Sequence, residues 1–213
     1  MIPRHRLLLQ LLQLARRPDQ IIFRPAHYIC EHLTPSRKKS KTKDTAMFRK
    51  KPADIIVQIA LESDLQRIEE LHGLCFKRGW SGSELIAMFQ QPANIFLVAR
   101  HVGKPTIPVA GFNIIRQAAD EAEIISIAVD PAQRGRDIAD ALMRRAIIDL
   151  VSDRVPKLFL EVDEANAVAL GLYNKLGFAI VATRPGYYRK DDKMDENSGP
   201  ANSNALVMRL DLG

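Results

Sequence analysis

The chain has 213 residues, enough for one full-sized domain and an additional segment. Its formal net charge of +6 is unevenly placed: residues 1–51 hold 13 Lys/Arg against 3 Asp/Glu, and residues 52–213 hold 18 against 22. The basic balance therefore belongs to the first segment and argues against direct nucleic-acid binding by the rest, while the two cysteines, one in each segment, exclude a disulfide scaffold.

No apolar run approaches the length of a membrane span, so no membrane is expected as a partner. The opening "MIPRHRLLLQLLQLARRP" is rich in leucine and arginine, and "SRKKSKTK" reads as a solvated, disordered linker. His27, Cys30 and His32 in "HYICEH" have a spacing that invites a metal, but no second ligand cluster follows, and no metal is expected. Three readings of residues 1–46 stand side by side: an organelle transit peptide, a basic arm for RNA or a membrane surface, or sequence upstream of a start at Met47. Met47 opens "MFRKKPADIIVQIA", directly before the first strand, which favours the third. The division is thus a basic extension over 1–46 and a domain over 47–213.

Within the domain, residues 54–60 read as a strand and 63–75 as a helix with Leu65, Ile68, Leu71 and Leu74 on one face. "WSGSELIAMFQQP" begins a second helix: Ser81 and Glu84 have capping-box spacing, and Pro92 marks its end. Three strands in meander follow over 95–102, 107–116 and 121–130. After a helix carrying Ile138, Leu142 and Ile148 on its apolar side, "KLFLEV" is a strand and "NAVALGLYNKLGF" a helix closed by Gly177. "FAIVATR" and "NALVMRL" give two last strands around a polar loop. This order predicts an α/β fold: one mixed, mostly antiparallel sheet with helices on both faces. It lacks the strict alternation and the G-x-G-x-x-G of a dinucleotide fold.

The junction "IAVDPAQRGRDIADALMRRA", residues 127–146, passes from β-branched strand to basic loop to amphipathic helix. The first N–H groups of such a helix have no partner inside it, and with the helix dipole they form a site for phosphate. Arg134 and Arg136 add positive charge at the same mouth. An ordinary strand–turn–helix with a solvated arginine pair fits these residues slightly better, because basic loops are common.

"IAVDPAQRGRDIADAL" and "LEVDEANAVALGLYNKLGF", in this order of elements, resemble the GCN5-related N-acetyltransferase (GNAT) superfamily. The second string, "RGWS" at 78–81 and "RPGYYRKDD" at 184–192 resemble more narrowly the ribosomal-protein-alanine N-acetyltransferases. The resemblance spans about residues 54–210. It implies acetyl-CoA as co-substrate, the N-terminus of a ribosomal protein as acceptor, a cytoplasmic location and a monomer. Ile127, Ala128 and Val129 would set strand amides near the thioester; Arg134, Gly135, Arg136, Asp137, Ile138, Ala139 and Asp140 would wrap the pyrophosphate; Asn166 would hydrogen-bond the pantetheine arm. Glu161 matches the family's general base and Tyr173 its general acid. Trp80, Tyr187 and Tyr188 are candidate walls for the acceptor's first residues, with a helix-entry staple as the rival role of Trp80.

One departure stands out: Asp137 occupies a position where the family loop has glycine. At ~6 Å and an effective dielectric of 20, a carboxylate beside a phosphate costs about 3 kcal/mol, less if it turns to solvent. Two alternatives therefore accompany the ribosomal reading: an enzyme acting on another N-terminus, a lysine or a small amine, and a weakened acyl-CoA-binding module.

Overall fold

The computed structural model describes residues 54–104, 106–189 and 202–213, with side chains described for all of these but 187–189 and 202. The readings made of residues 1–46 and of the side chains of Tyr187 and Tyr188 lie outside the described residues.

Seven strands form one sheet in the order β1-β2-β3-β4-β5-β7-β6. They are β1 (Ile55–Ile59), β2 (Asn94–His101), β3 (Gly111–Ala118), β4 (Glu121–Val129), β5 (Lys157–Asp163), β6 (Ala179–Arg189) and β7 (Asn202–Asp211). Every neighbouring pair is antiparallel except β4 and β5. The expected strand from 107 begins at Gly111, where the chain starts to pair with β2 at Ala99.

Helices α1 (Leu65–Cys75) and α2 (Gly82–Phe89) cover one face of the sheet; α3 (Ile138–Ser152) and α4 (Ala167–Lys175) lie on the other. The alternation of strand side chains divides the core accordingly. Val98, Phe112 and Ile114 pack with Ile68, Leu71 and Leu85, whereas Leu97, Ile115 and Leu160 pack with Leu142, Met143 and Tyr173.

Two helical faces differ from expectation. Leu74 is 61% exposed, and His72 and Cys75 complete the buried stripe of α1 instead. Ile148 is likewise exposed, and α3 buries Ile138, Leu142, Met143, Ala146 and Leu150. The caps follow the sequence closely. Ser81 Oγ accepts from the Glu84 N–H at 3.3 Å, and Glu84 Oε2 accepts from the Ser81 N–H at 2.8 Å. Gly177 sits at φ +92°; its N–H donates to the Asn174 carbonyl while the Phe178 N–H donates to that of Tyr173, which together close α4 in a Schellman motif.

The parallel contact of β4 with β5 is short. It registers only Glu121 with Lys157, Ala122 with Leu158 and Glu123 with Phe159. Beyond that point β4 continues to Val129 and β5 to Asp163 without pairing, so the sheet opens as a wedge in its middle. A bulge puts Ile125 out of register with β3 just where the wedge begins.

Candidate active site

The first cleft lies between the ends of β4, α3 and α4 and has a volume of about 490 Å³. Ile127, Ala128 and Val129 form its strand wall, and Arg134, Gly135, Asp137, Ile138, Ala139 and Asp140 its basic mouth. Asn166 and Tyr173 close the opposite side. Of the residues expected to hold the cofactor, only Arg136 lies outside this lining.

The junction is built as a tight series of turns. Asp130 ends β4, accepts from the Ala132 N–H at 2.9 Å and is braced by Arg67 at 2.6 Å. Pro131 opens a single 3-10 turn to Gln133. Gly135 and Asp137 then both adopt left-handed backbone, at φ +76° and +60°. The first intrahelical bond of α3 runs from the Ala141 N–H to the Asp137 carbonyl. The N–H groups of Ile138, Ala139 and Asp140 therefore have no acceptor within the helix. Asp137 is the N-cap residue, yet its side chain does not cap them. These donors point toward the cleft mouth with the positive end of the α3 dipole.

The electrostatics of the mouth involve residues that sequence spacing did not single out. Asp140 accepts from Arg144 at 2.6 Å and from Lys175 at 2.9 Å. Burial works to raise its pKa, but the hydrogen bonds from Arg144 and Lys175 prevail and hold it below the ordinary carboxylate value. Two cations thus stand at the outer edge of the cleft. The Asp140–Arg144 spacing of i,i+4 was a readable signal; Lys175 comes from α4 and was not. Arg134 donates to Cys75 Sγ at 3.4 Å, and Cys75 in turn donates to the Val129 carbonyl at 3.6 Å, which ties the loop to α1.

Tyr173 is fully buried, its ring tilted on Phe178 at 5.7 Å between centroids. Desolvation pushes its phenol far above the ordinary value, so it stays protonated and can serve as a donor. Asn166 caps α4, its side-chain oxygen accepting from the Ala169 N–H at 3.1 Å.

Glu161 is not brought into this cleft. Leu160 and Val162 face the α3/α4 core, and Glu161, on the opposite pleat of β5, lines a second cleft with Arg116, Glu121, Glu123, Phe159 and Arg184. Its carboxylate is 11% exposed and pairs with Arg184 at 2.9 Å. Both clefts border the wedge: β4 supplies the far wall of one, and Glu123, Leu160 and Glu161 lie along the other.

Trp80 lines neither cleft. Its indole stacks on His72 at 4.1 Å, and its backbone N–H donates to His72 Nδ1 at 3.1 Å. It packs on the same core as Leu85, the geometry of a staple. Tyr187 and Tyr188 belong to β6, with Tyr188 in register with Ser203. Among the described residues, no group of three His, Cys, Asp or Glu is arranged to hold a metal ion, and no helix is long and apolar enough to cross a membrane.

A wedge between parallel strands, opening onto a helix N-terminus whose first donors have no acceptor within the helix, defines an acyl-transferase-like site. The sequence model of the acetyltransferase (GNAT) family matches residues 65–178, and the chain belongs to that family. It is 29% identical over 157 residues to the "[Ribosomal protein bS18]-alanine N-acetyltransferase" of Haemophilus ducreyi, covering 74% of this chain and all of that protein. It is 32% identical over 154 residues to "N-alpha-acetyltransferase RimI" of Mycobacterium tuberculosis, covering 71% of this chain and 89% of that one. Among solved structures, the ribosomal-protein-S18-alanine N-acetyltransferase of Escherichia coli superposes with a TM-score of 0.64 at 26% identity, over 75% of this chain and 94% of the other.

Proposed function

We propose that this N-acetyltransferase transfers the acetyl group of acetyl-CoA to the N-terminal α-amine of a ribosomal protein beginning with alanine. The observation that carries the reading is the first cleft, which joins the β4 end, the uncapped α3 turn and Tyr173 around one volume. The donor set fits a pyrophosphate: three helix N–H groups, Gly135 and Arg134 at the mouth. The names borne by the Haemophilus and Mycobacterium relatives support an α-amine as acceptor.

The chemistry asks little of the protein. An α-amine titrates near ~7.7–8.0, so about a tenth or more is neutral at pH 7, whereas a lysine near ~10.4 is almost wholly charged. Glu161 accepts the amine's remaining proton across the wedge, directly or through a water. A β4 amide near Val129 donates to the oxygen that gains charge during attack. The Tyr173 phenol, which stays protonated, donates a hydrogen bond to the departing sulfur, and the thiolate takes its proton from solvent. No covalent enzyme intermediate is required.

Single-turnover acetylation of a peptide beginning with Ala, beside the same peptide with a blocked N-terminus and a free lysine, tests the acceptor. The free N-terminus is expected to be the better substrate. Faster reaction of the blocked peptide would overturn the α-amine reading. Mass spectrometry of ribosomal proteins with and without this chain then identifies the acceptor by the loss of one acetyl.

A further inference from the structure

Glu161 and Arg184 form an ion pair of unequal exposure. The carboxylate is 11% exposed within the second cleft, and the guanidinium above it is 49% exposed. Arg184 belongs to β6, two strands from β5 in the sheet, and reaches over the intervening β7, where Glu161 pairs with Val207. It also stands at the start of a break in register: Arg184 pairs with Ala205, but the next registered residue, Tyr188, pairs with Ser203. Pro185 and Gly186 fall within that bulge, and Gly186, at φ +62°, donates its N–H to Asn204 Oδ1 at 3.0 Å. Asn204 is in turn held by both carboxylate oxygens of Glu164 at 2.9 Å. The backbone at this point is fixed, while the long side chain of Arg184 is half in water.

We infer that Arg184 is an internal stand-in for the acceptor's ammonium, closing the second cleft over Glu161 until a substrate amine displaces it. This rests on the acceptor reading above and goes one step further, to how the acceptor site is gated. A nearly buried carboxylate needs a cation, and losing one without replacement is costly. Exchange of guanidinium for ammonium keeps that charge balance throughout. The guanidinium end is half in water, so it can leave as long as another cation takes its place. The exchange also changes the chemistry of the pair. A guanidinium does not release its proton, so the resting pair is inert. An α-ammonium does release one, and Glu161 is then in contact with the proton it must take. Among the described residues, the nearby cations other than Arg184 face other carboxylates. Arg116 is engaged by Glu123 at 2.6 Å, and Lys157 lies by Glu121 at 3.9 Å.

Calorimetric titration of the CoA-loaded protein, which cannot transfer acetyl, separates gating from turnover. The probes are a hexapeptide beginning with Ala and the same peptide carrying an N-terminal formyl group. Arg184→Gln should tighten binding of the free-amine peptide about two- to fivefold and leave the formyl peptide unchanged. Arg184→Lys, which retains a cation at the mouth, should restore the wild-type value. In a Glu161→Gln background, Arg184→Gln should have no effect on either peptide. Weaker or unchanged binding of the free amine in Arg184→Gln, or an equal change for both peptides, overturns the inference. If instead the predicted affinities are found but no acetylation of any N-terminus follows with acetyl-CoA, the gate stands and the proposed substrate falls.

Discussion

Tyr173 and Glu161 come from opposite faces of the sheet, and the roles proposed for them rest on what surrounds each. Tyr173 is enclosed by the α3/α4 core, where no solvent supports a phenolate. Tyr173→Phe should therefore lower turnover while acetyl-CoA affinity stays near wild type. Glu161→Gln keeps the size of the side chain but cannot take a proton, so single-turnover rates should fall about 10²- to 10³-fold at neutral pH. Part of that loss should return at higher pH, where the amine is neutral unaided. An unchanged rate for Glu161→Gln on every amine would reduce this residue to a partner of Arg184. The string around residues 159–178 carried both residue types in the sequence, but the partner of Glu161 was hidden. Arg184 is 23 residues away, on β6, and meets Glu161 across the intervening β7.

At the scale of elements, the β4–α3 junction was legible because its signals are local. Strand-ending proline, glycine and the following periodicity all fall within one stretch. Asp137 was read there as an electrostatic departure, and its φ of +60° adds a second reason why glycine suits the position. Asp137→Gly relieves the backbone and removes a charge near the phosphate donors. Calorimetry should find acetyl-CoA bound about three- to tenfold more tightly at low salt, with the gain narrowing as salt rises. Unchanged or weaker binding would mean that the carboxylate supports the loop. The faces of α1 and α3 were less legible, since a step of three residues drifts around a helix with 3.6 per turn. By Leu74 the drift from Leu65 is half a turn, which exposes it and buries His72 and Cys75.

His72 gives α1 and the turn into α2 a pH dependence. Desolvation by burial lowers its pKa from 6.5 to about 4, against a smaller opposing pull from Glu84, and the neutral ring accepts from the Trp80 N–H. In the unfolded chain the imidazole protonates as pH falls through 6.5, while in the folded chain it resists until about 4. Falling pH therefore favours unfolding across that window, by about 3 kcal/mol in all, and the stability is fully present above it. Denaturant unfolding between pH 7 and 4 should show this slope in the wild type. His72→Phe keeps an aromatic ring against Trp80 but removes the titration. It should start less stable at pH 7 and lose about 3 kcal/mol less on acidification. An identical slope in both proteins would assign the acid sensitivity to other groups.

At the scale of the whole sequence, charge is uneven: residues 1–51 hold 13 Lys/Arg against 3 Asp/Glu, and residues 52–213 hold 18 against 22. The described sheet runs from Ile55 to Asp211, and the family match begins at 65. Fold class and helix placement could be read in advance because each strand carries its own alternation. The strand order could not, since β5-β7-β6 and the short parallel contact of β4 with β5 are set by long-range pairing that leaves no periodic trace. We propose that this sheet does not require the basic segment. A chain beginning at Met47 should unfold at the same denaturant concentration, bind acetyl-CoA with the same affinity and acetylate the Ala peptide at the same rate. It should also elute earlier from a cation-exchange matrix, because the removed residues hold 10 Lys/Arg against 3 Asp/Glu. Lower stability would show that residues 1–46 pack on the domain. Full stability with slower acetylation of an intact ribosomal protein, but not of the peptide, would make the basic segment a docking arm for that partner.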